Sequence, residues 1–89
     1  MNAIITVVGT DHVGIIAKVS AYLSEHMINI VDISQTILSG YFVMMMVADL
    51  SKSTIPIQEN KTALTELGEK LGVNISIMHE KVFSEMNRI

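Results

Sequence analysis

The 89 residues contain no cysteine. That absence excludes disulfides, thiolate catalysis and zinc sites of the cysteine type. Aromatic residues are scarce, limited to Tyr22, Tyr41, Phe42 and Phe83. Basic residues are also few: six Lys and Arg against nine Asp and Glu, for a net charge of −3. The six are scattered along the chain, so the electrostatic footprint of a nucleic-acid binder is missing. No apolar run approaches the roughly 20 residues of a membrane span. Met1-Asn2-Ala3-Ile4-Ile5 enters a strand pattern directly and carries no basic n-region. The expectation is therefore a cytoplasmic protein without a signal peptide.

What the chain has is apolar residues, 49% of the total, enough to collapse around a core. A chain this short makes one small domain over residues 1–89. Ala3 to Val8 is apolar except for Thr6 and β-branched, and reads as a buried strand. Ile15, Ile16, Val19, Tyr22, Leu23 and Met27 recur at helical spacing, with Lys18, Ser20, Ser24 and Glu25 on the other face. Asn29 to Leu38 alternates, Ser39-Gly40 supplies a hairpin turn, and Tyr41 to Leu50 returns as its antiparallel partner. Pro56 suits the first turn of a second helix, lined by Leu64, Leu67 and Leu71 and stopped at Gly72. Val73 to His79 is a fourth strand, and the tail 80–89 forms a short helix carrying Val82, Phe83 and Met86.

This order, strand-helix-strand-strand-helix-strand, folds most simply into an α+β, ferredoxin-like βαββαβ sandwich. Its four-stranded antiparallel sheet carries both helices on one face. The other face should then turn polar. It does not. The third strand is apolar on both sides, with Tyr41, Val43, Met45 and Val47 in one row and Phe42, Met44, Met46 and Ala48 in the other. A second subunit, the C-terminal tail or a ligand must cover that face. In so small a domain the pattern predicts a homodimer or higher homo-oligomer.

The stretch Val8-Gly9-Thr10-Asp11-His12-Val13-Gly14-Ile15-Ile16 concentrates the chemistry. Two glycines flank a carboxylate where a strand passes into a helix. Such a loop either aims backbone N–H groups at a small anion or is a tight turn with Asp11 as helix cap.

The segment Gly9 to Ser20, then Leu23, Asn29-Ile30 and Gln35, resembles the ACT domain. The ending His79-Glu80-Lys81-Val82-Phe83, with Met86 and Ile89, is similar to short stand-alone bacterial ACT proteins that lack a catalytic domain. Where that family often has arginine after the aspartate, this chain has His12. The resemblance implies a regulatory module that binds a small molecule, typically an amino acid, at a subunit interface. The implied ligand residues are Gly9, Thr10, Asp11, His12, Val13, Gly14, Asn29 and Ile30. Backbone N–H groups of His12, Val13 and Gly14 would hold a carboxylate. Asp11 would take the ammonium group, and Asn29 either end of a zwitterion. The alternative is a dimerisation or protein-interaction module with no small-molecule ligand.

Rival chemistries find little support. Acylphosphatases share the fold and need an arginine in the loop after the first strand, whereas the only arginine is Arg88. No nucleophile sits beside an activating base, so no catalytic residue is assigned. RNA modules of this fold stack bases on strand aromatics; the central strands here offer methionine and isoleucine. His12, His26 and His79 fall on three different elements without paired metal-ligand spacing, and His26 reads as a cation at a helix C-terminus. No metal and no cofactor is expected.

Overall fold

The computed structural model describes residues 1–10 and 13–86. Its elements are β1 (Asn2–Gly9), α1 (Ile15–Glu25), β2 (Asn29–Leu38), β3 (Tyr41–Asp49), α2 (Ile57–Leu71), β4 (Asn74–His79) and α3 (Glu80–Met86). The four strands form one antiparallel sheet in the order β2-β3-β1-β4. This is the ferredoxin-like architecture expected of the chain.

Register fixes the two faces, because residues directly opposite in an antiparallel pair share a side. Ala3, Ile5 and Val7 pair with Ala48, Met46 and Met44 on β3, and with His79, Ile77 and Ile75 on β4. This row, with Ile15, Val19 and Leu23 of α1 and Leu64 of α2, is the core. The hairpin turn is as the sequence suggests: Ser39 and Gly40 both have positive φ, 52° and 83°, matching the twist of the flanking strands. Gly72 ends α2 in the left-handed conformation.

Several details differ from the sequence reading. Pro56 is the N-cap of α2, one residue ahead of its first turn. The buried stripe of α2 is Asn60, Leu64 and Gly68, a strict i, i+4 row, while Leu67 and Leu71 are only half-buried. Gly68 lets α2 approach β4: a Cβ there would stand 2.7 Å from the Val73 carbonyl oxygen. Met27 lies beyond the end of α1, with φ 59° and an exposed side chain. His26 is the C-cap of α1, its ring centre 4.4 Å from that of Tyr22 at a 43° tilt, its Nδ1 3.3 Å from Thr54 Oγ1.

The second face of the sheet is covered in part by the tail. α3 lies against β1 and β4. Its Phe83 joins Ile4, Met45 and Val47 around a hollow of about 170 Å³. Ile4 is buried as a result, whereas Tyr41 and Met45 stay exposed. His79 ends β4 just ahead of α3, its Nδ1 accepting the Lys81 backbone N–H at 3.0 Å.

Candidate functional site

The glycine-rich loop leaves the sheet at Gly9, the last residue of β1. Gly9 pairs with Phe42, and Phe42 pairs with Ile37, so these three form one rung at this end of the sheet. Thr10 and Val13 are exposed. Asp11 and His12 lie outside the described residues, and so do the roles the sequence assigns to their side chains.

The helix start is displaced from expectation. The N-cap of α1 is Gly14, in the left-handed conformation at φ 76°, with no side-chain cap. Whether the Asp11 carboxylate caps the helix lies outside the described residues. The ladder opens with Lys18 N–H donating to Gly14 O at 3.0 Å. The N–H groups without an acceptor inside the helix are then those of Ile15, Ile16 and Ala17, together with Gly14 itself. Expected donors His12 and Val13 precede the helix.

Asn29 and Ile30 are elsewhere. Asn29 pairs with Asp49, and Asp49 with Asn2, at the other end of the strands. Seven rungs separate Asn2 from Gly9, or about 23 Å at the rise of a β-strand. One chain thus brings together Gly9, Thr10, Val13 and Gly14, and does not bring Asn29 or Ile30 to them. Around Asn29 the surface groove is lined by Ser24, Met27, Ile28, Asp49 and Lys52. Hydrogen bonds from Ser51 hold the Asp49 carboxyl below its ordinary range. Among the described residues, no three His, Cys, Asp or Glu side chains converge as a metal site, and no helix is long and apolar enough to cross a membrane.

The state of β2 bears on how this site could be completed. It is an edge strand of ten residues, nine of them exposed. Val31, Ile33, Ile37 and Leu38 present apolar side chains to solvent, up to 65% exposed at Leu38. Asp32 is the single charge in the strand, and no lysine or proline blunts it. A bulge between Ile30 and Asp32 is the one irregularity of its register. The alternation of the strand was legible; that neither helix covers its free edge was not.

A sequence profile of the ACT domain matches residues 2–78. A UPF0237 protein of Clostridium acetobutylicum is 56% identical over 89 residues, which span the whole of both chains. Among solved structures, an ACT domain protein from Streptococcus pneumoniae superposes with a TM-score of 0.84 at 42% identity, over 93% of each chain. A formyltetrahydrofolate deformylase from Pseudomonas syringae pv. tomato matches 86% of this chain with 26% of its own length, at a TM-score of 0.78 and 25% identity. The profile match over most of the chain and the full-length relative at 56% identity agree, and the chain belongs to the ACT domain family.

Proposed function

We propose that this chain is a regulatory module that binds a small molecule, an amino acid, between two copies of itself in the cytoplasm, and that it catalyses no reaction. The observation that carries the reading is the separation of Asn29 from the glycine loop, taken with the open edge of β2. Antiparallel pairing of β2 with β2 of a second copy about a two-fold axis satisfies both edges at once. It also sets the Asn29 end of one copy beside the Leu38 end of the other. Leu38 lies at the same end of the sheet as Gly9. Each loop then stands at the same end of the joined sheet as Asn29 of the partner subunit, three strands apart, a gap of about 14 Å for the ligand and the loop to bridge, and a site divided within one chain is completed twice in the dimer.

In such a site the start of α1 favours the ligand carboxylate, through the N–H groups of Ile15, Ile16 and Ala17 and the positive end of the helix dipole. Asp11 takes the ammonium group. Asn29 of the partner subunit offers both donor and acceptor. A ligand that touches both copies stabilises the dimer by mass action, and that linkage is the regulatory output. The likeness to about a quarter of a deformylase suits a module attached to other activities better than a catalytic body.

A second reading has support from the same strand: an apolar, unblunted edge needs cover with or without a ligand, so the chain is then a pure dimerisation module. Titration calorimetry against the twenty amino acids separates the two. Binding of one of them at micromolar to millimolar concentration, with dimer dissociation shifted by the same ligand, is the expected result. Failure of all twenty at millimolar concentration contradicts the sensor.

A further inference from the structure

Beside the glycine loop, on the helix-facing side of the sheet, lies a groove lined by Gln35, Thr36, Ile37 and Phe42. Register explains its composition. Gln35 pairs with Met44 and Ile37 with Phe42, so both share the side that elsewhere is core. Met44 and Phe42 are buried, whereas Gln35 and Ile37 are exposed. Gln35 is the one polar residue in the β2 row Ile33, Gln35, Ile37, and its side-chain amide has no hydrogen-bond partner among the described residues. No charged residue lines the groove.

We infer that Gln35 sets the selectivity of the ligand site, and that the ligand is an amino acid with an uncharged, hydrogen-bonding side chain. This rests on the amino-acid reading above. The groove touches the rung that ends in Gly9, so a ligand anchored at the loop extends its side chain over Phe42. Ile37 and Phe42 receive the aliphatic stem, and the Gln35 amide, both donor and acceptor, meets a terminal hydroxyl or carboxamide. An aliphatic ligand leaves that amide unpaired once the interface closes over it, and sites built around a hydrogen bond reject such analogues strongly. A charged side chain finds no counter-charge there.

The test uses near-isosteric pairs, threonine against valine and asparagine against leucine, titrated calorimetrically into the full chain and into Gln35→Leu. The wild type is expected to prefer the polar member of at least one pair by about tenfold or more, and Gln35→Leu to bring that ratio to within about threefold. Far-ultraviolet circular dichroism without ligand should match that of the wild type, since the position 35 side chain lies outside the core of the single chain, which shows the variant to be folded. If the wild type binds amino acids and Gln35→Leu keeps the same ratios, selectivity lies elsewhere and this inference is overturned while the amino-acid reading stands. If no amino acid binds the wild type, both fall.

Discussion

The hydroxyl of Tyr22 on α1 donates to the side-chain oxygen of Asn60 on α2 at 2.5 Å. Asn60 is wholly buried, and its amide nitrogen also donates to Ser53 Oγ at 3.2 Å and to the Ile55 carbonyl at 3.4 Å. One side chain thereby ties both helices to the loop between β3 and α2. Removing it takes the acceptor from the Tyr22 hydroxyl and opens a buried hole, while Ser53 Oγ and the Ile55 carbonyl keep their mutual bond at 2.7 Å. Asn60→Ala should cost about 2–3 kcal/mol, and Tyr22→Phe about 1–2 kcal/mol. Urea denaturation measures both; a loss below a few tenths of a kcal/mol for Asn60→Ala contradicts the role given to the network.

Burial raises the Tyr22 phenol above its ordinary 10.0, and the nearby Glu25 carboxylate adds to the shift. The sign follows from linkage. A group whose folded value exceeds its unfolded value stabilises the fold fully below the unfolded value and loses that contribution as pH rises through the folded one. Stability should therefore fall above about pH 10, and Tyr22→Phe should flatten that fall. An equal alkaline loss in wild type and variant sinks the assignment.

Gly68→Ala should destabilise despite the better helix propensity of alanine. The propensity gain is about 1 kcal/mol. The new Cβ meets the Val73 carbonyl oxygen at 2.7 Å and Ile75 N at 3.3 Å, and overpacking of this kind costs about 1–3 kcal/mol. The two backbone atoms cannot yield without moving β4, so the net change is a loss. A raised melting temperature contradicts the close approach of α2.

At Gly14 the cost has another origin. A Cβ there meets nothing within 4 Å, yet φ is 76°. Gly14→Val should lose about 1–2 kcal/mol through the left-handed backbone alone. Gly14→Asn should lose less, because asparagine tolerates that region. Equal stabilities for all three in a denaturant series would remove the conformational argument.

How far the sequence reached depends on the kind of information each feature needs. Element order and the hairpin were legible because β-branched runs, the Ser39-Gly40 turn and Gly72 are local signals. The short α3 and its Phe83 were legible from spacing. Asn60 was missed because the leucines at 64, 67 and 71 drew the helix face, although Asn60, Leu64 and Gly68 stand in one i, i+4 row. Grouping Asn29 with the glycine loop followed a motif along the chain. The motif does not reveal that β1 and α1 carry its two halves to opposite ends of the sheet.

The central claim, one ligand site completed by two chains, has a direct test in mixed dimers. Asp11→Asn weakens the loop half of the site, and Asn29→Ala the other half. Each variant alone carries one defect in every site and should bind amino acid at least tenfold more weakly, since a charge-assisted hydrogen bond contributes about 1.5–3 kcal/mol. When the two chains are refolded together, half the dimers are mixed, and each mixed dimer holds one site with both defects and one with none. Titration calorimetry should then recover wild-type affinity at about one site per four chains, the statistical share for a two-fold dimer with random pairing. No recovery in mixed dimers whose formation is verified would place the whole site within one chain and contradict the account.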